Sequence, residues 1–178
     1  MSSACCKNSP SCGVVSMKFT PMCCIELPVP KSSALPVKIE DCLSGFSLPV
    51  RIPGDFCDRC RGPLELQTTV FIWDLPDTFY IKFKRFFQMP GGNVVKITTP
   101  VIFPEVLDMT HFCNGNKTGS KEYHLRAVSD HSGTMDFGHY TATVLTDDTH
   151  WMRCNDSHIT ACGSPCDRPS ESAYVLCY

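Results

Sequence analysis

The sequence predicts a β-dominated α+β fold with one convincing helix. Residues 78–87 alternate cleanly, with Phe79, Ile81 and Phe83 on one face, as expected of a strand that is buried on one side. Residues 140–152 contain two apolar, β-branched or aromatic runs around a polar turn, which is the pattern of a hairpin. Fourteen Pro and eleven Gly indicate many turns and short elements, which favour strands and loops over a helical bundle.

Length and charge limit the classes of protein to consider. The 178 residues suit one domain, residues 1–178, that buries a hydrophobic core. A net charge of −2 gives no reason to expect nucleic acid or an anionic membrane as a partner. No apolar run approaches the roughly 18 residues of a membrane span. The N-terminal stretch lacks the apolar segment of a secretory signal, so we expect the protein in the cytoplasm, the nucleus or both.

The thirteen cysteines are the unusual feature of the composition. An odd number cannot pair off completely, and disulfides are a poor default for a chain with no secretory signal. The sequence therefore favours free buried thiols or a metal site.

The first third of the chain is rich in Cys and Pro and contains the helix. Residues 14–20 are predicted as a strand and residues 24–30 as an extended segment that its prolines keep out of a helix. The helix is predicted over residues 37–46, because Ile39, Leu43 and Phe46 form one apolar face at i, i+4 and i+7. Gly45 and Pro49 favour its early end.

The remaining chain is predicted as strands joined by turns and loops. The strands are residues 68–73, 78–87, 94–97, 123–128 and 172–178, and the connecting loops include residues 91–93, 113–121 and 130–136. Lys82, Lys84 and Arg85 are interpreted as a solvated strand face rather than a binding patch.

The hairpin brings His139 close to a polar side chain of its second strand. A turn centred on Asp147 places His139 opposite Asn155, and a turn centred half a residue later places it opposite Asp156. Both loop lengths are ordinary, so the register stays open. In either register an imidazole and a side-chain oxygen are cross-strand neighbours. We expect that oxygen to accept Nδ1–H and to leave Nε2 facing a nucleophile. The alternative is a surface histidine beside a turn.

Taken in order, these segments resemble the C-terminal two-thirds of a ubiquitin-specific protease domain, over residues 12–178. The segments that carry the resemblance are 39–46, 57–60, 75–86, 103–109, 123–128, 131–133, 138–140, 151–157 and 173–178. A single short motif such as Gly138-His139-Tyr140 arises by chance, whereas this many in the family's order are specific. The resemblance implies a papain-like fold shaped as a right hand, with residues 1–66 as a Cys-rich fingers region and residues 67–178 as the palm. The thumb is expected to be largely missing.

In that family, a thiol hydrolyses the isopeptide or peptide bond after the C-terminal glycine of ubiquitin. The resemblance implies that His139 is the general base, Asn155 the third member of the triad and Asp156 a nearby polar support. The partners implied are ubiquitin or a ubiquitin-like protein and the ubiquitinated substrate. Catalysis needs no cofactor.

The nucleophile is the main departure from the family pattern. The family supplies it from a box resembling GNTCYLNS at the start of a helix, where amide dipoles lower the pKa of the thiol. None of the thirteen cysteines lies in such a box. We therefore expect the 178-residue chain alone to be inactive. The alternatives are a catalytically inactive ubiquitin-binding module or scaffold, and an interaction domain stapled by zinc.

The resemblance also implies a structural zinc held by two Cys-x-x-Cys pairs. Cys57 and Cys60 match one pair, and Cys12 matches the second cysteine of the other pair. Its partner position is Ser9, so Cys6 is the nearest substitute ligand. Zinc needs four ligands at roughly 2.0–2.3 Å. The alternative is an empty site whose thiols are simply packed.

Overall fold

The computed structural model describes residues 2–6, 15–31, 35–57, 61–114 and 121–178, with the backbone alone for 2–6, 15–16, 54–57 and 62–66. The described part contains one helix and seventeen strands. In chain order they are β1 Ser2–Cys6, β2 Val15–Lys18, β3 Ile25–Pro28, β4 Val37–Lys38, α1 Ile39–Phe46, β5 Val50–Cys57, β6 Gly62–Val70, β7 Tyr80–Lys84, β8 Phe86–Gln88, β9 Val94–Lys96, β10 Val101–Ile102, β11 Val106–Asp108, β12 Glu122–His124, β13 Ala127–Gly133, β14 Gly138–Thr146, β15 His150–Asn155, β16 His158–Cys162 and β17 Ala173–Cys177.

A seven-stranded sheet forms the centre of the molecule, in the order β16-β15-β14-β13-β17-β7-β3. Its neighbours are antiparallel except for β3 and β7, which run parallel with Ile25 beside Ile81. Helix α1 packs against β3. This arrangement confirms the β-dominated α+β class. No helix of the described residues has the length and apolar character needed to cross a membrane.

A separate four-stranded sheet, in the order β2-β1-β6-β5, contains the N-terminal strands and the Cys57 segment. The structure divides the chain differently from the predicted boundary between residues 66 and 67. That boundary falls inside β6, which is continuous from Gly62 to Val70. In addition, β3 and α1 belong with the seven-stranded sheet, although both precede the boundary.

The apolar faces predicted for the helix and the long strand form the core. Phe79, Ile81 and Phe83 are 4%, 0% and 0% exposed, which confirms the alternation. Helix α1 buries Ile39 and Leu43. It begins where the side chain of Asp41 accepts a hydrogen bond from the backbone N–H of Lys38 at 3.0 Å, so one of the otherwise unpaired first-turn donors is satisfied.

Arg85 corrects one prediction, because it is 0% exposed rather than part of a solvated face. Strand β7 ends at Lys84, and the N–H of Arg85 bonds the carbonyl of Phe83 at 2.9 Å. The side chain of Arg85 continues the buried face of Phe79, Ile81 and Phe83. Its guanidinium donates to four backbone carbonyls, those of Ala173 (2.7 Å), Ile97 (3.1 Å), Thr99 (2.9 Å) and Ser170 (2.9 Å). Burial lowers the pKa of Arg85 to about 10, so it stays charged at neutral pH.

The predicted loop over residues 130–136 is a second correction, since β13 continues to Gly133. His131 pairs with Tyr140 and Ser132 with His139. Composition suggested a loop because this part of the strand is polar. Of the loop predicted over residues 113–121, residues 115–120 lie outside the described residues.

We predict that Arg85→Met lowers the free energy of unfolding by on the order of 3–5 kcal/mol, because it removes the buried group that donates four hydrogen bonds. Chemical denaturation of the two chains measures the difference. Arg153→Met is the matched control: Arg153 is exposed, so a change within about 0.5 kcal/mol is expected. A loss below about 1 kcal/mol for Arg85→Met would show that the four bonds contribute little.

Candidate active site

Strands β14 and β15 form the hairpin that the sequence predicts, but in a third register. Thr146 pairs with His150 and Ala142 with Cys154, so the turn is centred on Asp148. Asp147 and Asp148 both adopt left-handed backbone conformations, with φ of 50° and 54°, which Asp tolerates better than most residues. Extended along the strands, this register sets His139 level with Ser157. Both predicted registers are therefore wrong.

The side chains of His139 and Asn155 nevertheless meet. Nε2 of His139 lies 2.6 Å from Oδ1 of Asn155. Asn155 is two residues from the position opposite His139, and residues two apart share a face of the sheet, so the contact runs diagonally across the hairpin. Both residues are exposed.

The contact uses the other ring nitrogen from the one expected. An amide oxygen only accepts hydrogen bonds, so Nε2–H of His139 is the donor. The neutral ring then carries its lone pair on Nδ1, to which no described residue donates a hydrogen bond. The expectation that Asn155 would hold Nδ1–H and leave Nε2 facing a nucleophile is wrong. The nitrogen left to act as a base is Nδ1.

Asp156 lies in the turn between β15 and β16 rather than beside the imidazole. Its φ is 50°, and its side chain is exposed. Asp156 follows Asn155 directly, so its side chain does not lie on the face of the sheet that His139 and Asn155 share. No hydrogen bond joins it to His139 within the described residues.

His131 is a buried neighbour of the site that sequence reasoning interpreted as an ordinary loop residue. It is 4% exposed. Lys96 contacts it twice, with Nζ 3.1 Å from Nδ1 and 2.6 Å from the carbonyl oxygen. Burial, and then the charge of Lys96, lower the pKa of His131. No local sequence signal marks this pair, because the two residues are 35 positions apart.

Four of the described thiols have a pKa shifted away from that of an activated nucleophile. Burial raises the pKa of Cys24, Cys166 and Cys177, and raises that of Cys42 to about 12. A catalytic thiol needs the opposite shift. Cys154 precedes Asn155 on the same strand and therefore points to the opposite face.

Three exposed apolar side chains lie near His139 in the sequence. Met135, Phe137 and Tyr140 are 62%, 82% and 55% exposed, although each lies within four residues of His139. Between Gly133 and β14, the chain makes a tight turn in which the N–H of Thr134 bonds the carbonyl of Phe137 at 2.7 Å. Apolar residues clustered on a surface in this way mark a contact site for another molecule.

Only part of the predicted zinc site can be placed. Cys12 and Cys60 lie outside the described residues, and of Cys6 and Cys57 only the backbone is described. Cys6 pairs with Leu66 on one side of β6, and Cys57 pairs with Gly62 on the other. These two positions are about 13 Å apart along the strand and about 10 Å apart across the sheet. Thiolates on one zinc lie about 4 Å apart, so Cys6 does not fit beside Cys57 in this register.

The fold and the His–Asn pair together define the class of the domain, a papain-like cysteine protease fold. The chain belongs to the ubiquitin carboxyl-terminal hydrolase family, whose model matches residues 3–178. It is similar to human ubiquitin carboxyl-terminal hydrolase 2, with 36% identity over 172 residues that cover 94% of this chain and 28% of that protein. With rat ubiquitin carboxyl-terminal hydrolase 21 it shares 31% identity over 97% of this chain and 31% of the relative. The chain thus spans about a third of the length of these curated relatives.

Solved structures agree with the fold. A yeast SAGA DUB module is similar to this chain with a TM-score of 0.81 and 23% identity, over 99% of this chain and 39% of that one. The SAGA DUB module of Ubp8, Sgf11, Sus1 and Sgf73 bound to monoubiquitin gives a TM-score of 0.81 and 26% identity over the same shares. The structure of the same module bound to ubiquitin aldehyde gives a TM-score of 0.80 and 25% identity, again over 99% of this chain and 39% of that one.

We predict that the neutral ring of His139 is a single Nε2–H tautomer, because Oδ1 of Asn155 accepts a hydrogen bond from Nε2–H. Long-range ¹H–¹⁵N correlation spectra of the imidazoles distinguish the two nitrogens. Asn155→Ala should produce a mixture of tautomers, whereas Asp156→Ala should leave the pattern unchanged. A protonated Nδ1 in the neutral parent chain would refute the assignment.

Proposed function

We propose that this chain provides the base half of a cysteine-type deubiquitinase, which removes ubiquitin or a ubiquitin-like modifier from proteins by thiol hydrolysis. The observation that carries the proposal is the 2.6 Å contact between Nε2 of His139 and Oδ1 of Asn155. Membership of the family supports it. The solved neighbours that hold ubiquitin or ubiquitin aldehyde support ubiquitin as the partner.

In this proposal Asn155 fixes the ring, and Nδ1 of His139 takes the proton of an incoming thiol. The thiolate attacks the carbonyl carbon of the scissile bond, and the imidazolium then gives its proton to the leaving amine. A thiolate–imidazolium pair has already separated its charges, so an amide is enough to orient the ring. Asp156 is a polar group of the adjacent turn, and the exposed Phe137 and Tyr140 offer contact area for the bound protein.

A ubiquitin-binding module without turnover is the second candidate. The specific observation in its favour is that His139 has no cysteine among its described hydrogen-bond partners. In this case the exposed residues around His139 would hold ubiquitin, and the histidine would contribute only to the surface.

We infer a cytoplasmic or nuclear location. The eight cysteines whose side chains are described are all free thiols. The reducing conditions of the cytoplasm and nucleus keep cysteines in this state.

We also propose that the four-stranded sheet carries a structural zinc with Cys12, Cys57 and Cys60 among its ligands. The intact Cys57-x-x-Cys60 pair supports it, and zinc would tie together the end of the sheet. The register of β1 and β5 on β6 argues against Cys6 as the fourth ligand.

The first test of function compares the 178-residue chain with the longest product of its gene. We expect the chain alone to bind ubiquitin and not to cleave ubiquitin–rhodamine. In the longest product, His139→Ala should lower kcat/KM by about 10²- to 10⁴-fold, the usual contribution of a general base. His150→Ala is the matched control, since His150 is an exposed histidine of the same hairpin that bonds Thr149.

Each other outcome decides between the candidates. Turnover by the 178-residue chain that one Cys→Ala change abolishes would contradict the expected inactivity. Full activity of His139→Ala would refute the base. Ubiquitin binding without turnover in the longest product would establish the second candidate.

The zinc proposal is tested by metal analysis of the purified chain. We expect one equivalent of zinc, lost in Cys57→Ser and retained in Cys6→Ser, because the sheet register separates these two positions. Less than about half an equivalent in the parent chain would mean an empty site. Loss of zinc in Cys6→Ser would show that Cys6 is a ligand.

A further inference from the structure

We propose that His131 is a positioning residue for His139, and that Lys96 holds it in the one orientation in which it can support the Gly138–His139 backbone. The inference rests on the proposed function only in naming His139 as the base. It concerns a chain of contacts from β9 through β13 to β14.

The first step is the bond from Lys96. An ammonium only donates hydrogen bonds, so Nδ1 of His131 must accept, and the neutral ring carries its proton on Nε2. The same ammonium donates to the carbonyl oxygen of His131 at 2.6 Å. Lys96 therefore fixes the ring, the tautomer and the backbone of one residue at once. A protonated His131 would oppose the charge of Lys96, which favours the neutral ring.

The second step is the aromatic enclosure of the ring. The centroid of His131 lies 4.7 Å from that of Tyr140, 5.5 Å from Phe86 and 5.8 Å from Tyr174. These rings come from β14, β8 and β17. The N–H of His131 also bonds the carbonyl of Ser172 at 2.9 Å. The imidazole is thus restrained from several sides.

The third step is the contact with Gly138. A Cβ at this position would lie 2.1 Å from Nε2 of His131 and 2.9 Å from its Cε1, closer than atoms approach without a shift. The imidazole therefore occupies the space that a side chain of residue 138 would need, directly before His139. Ser132 adds a second support, since its hydroxyl donates to the carbonyl of His139 at 3.3 Å.

Together these contacts fix the backbone of His139 through two adjacent residues of β13, His131 and Ser132. The side chain of His139 is exposed and bonds only Asn155 among the described residues. A ring on the surface needs a fixed backbone to meet an oxygen at 2.6 Å, and groups that react must be held within about 0.5 Å of their geometry. The half-buried Lys96 and the buried His131 provide that restraint without touching the reacting atoms.

The test reads both histidines in the 178-residue chain by long-range ¹H–¹⁵N spectra, so it needs no enzymatic activity. In the parent chain we expect His131 as the Nε2–H tautomer, titrating below the ordinary histidine value of about 6.5. In Lys96→Met, which keeps the length of the side chain but removes its donor, the pKa of His131 should rise. The single Nε2–H pattern of His139 should give way to a mixture.

Lys84→Met is the matched control, because Lys84 is an exposed lysine of the neighbouring β7 whose partner is Glu26. It should leave both histidines unchanged. If Lys96→Met changes His131 and leaves His139 as it was, the positioning role is refuted. If neither changes, the Lys96–His131 bond itself is refuted.

Lys96→Gln is the second variant in case Lys96→Met does not fold, and it removes the charge while keeping a polar group. It should raise the pKa of His131 and disturb the pattern of His139, and an unchanged His139 refutes the proposal there too. If the protein binds ubiquitin without turnover, all these spectra are still expected as described. Failure of the proposed function is therefore distinguishable from failure of this inference.

Discussion

The buried guanidinium of Arg85 is the interaction on which the arrangement of the central sheet depends. It donates to carbonyls of two later segments of the chain, those of Ile97 and Thr99 and those of Ser170 and Ala173. One of them, Ala173, begins β17, which lies between β7 and β13 in the sheet. Removing this cation from water is costly, and only a complete set of acceptors offsets that cost. The four carbonyls must therefore stay in place together, and the two segments that carry them are fixed relative to the end of β7.

Periodicity predicted the parts of the fold whose pattern is local. The alternation of Phe79, Ile81 and Phe83 identified a strand buried on one side, and the spacing of Ile39 and Leu43 identified the helix, because in both cases one face meets the core. Arg85 shows the limit of an argument from charge. Its charge grouped it with Lys82 and Lys84 in solvent, whereas alternation places residue 85 on the buried face of Ile81 and Phe83. The carbonyls of residues 97–173 make the burial of its guanidinium favourable. The residues close to Arg85 in the sequence do not reveal these carbonyl partners.

The sequence predicted that His139 lies close to Asn155 and did not predict the geometry of their contact. The order of the motifs selected His139 and Asn155, and the hairpin pattern placed them near each other. The register depended on the left-handed conformations of Asp147 and Asp148, which the sequence permits without requiring. Which ring nitrogen contacts Asn155 depends in turn on the diagonal approach of the two side chains. The pairing register of the strands alone does not specify that approach. His131 was missed because its burial comes from Lys96 and three aromatic residues on other strands.

The restraints on His139 all come from strands that the described residues contain. Its carbonyl is held by β13, its neighbour Gly138 packs against His131, and its ring bonds the end of β15. In the proposed function, His139 does not need its nucleophile in order to be correctly placed, since the thiol enters only as the group that meets Nδ1. The same physics allows an exposed His–Asn pair at the rim of a sheet, because a neutral imidazole and an amide stay hydrated at little cost. The charged pair forms only when a thiol gives up its proton, so the site has no buried charge to stabilise beforehand.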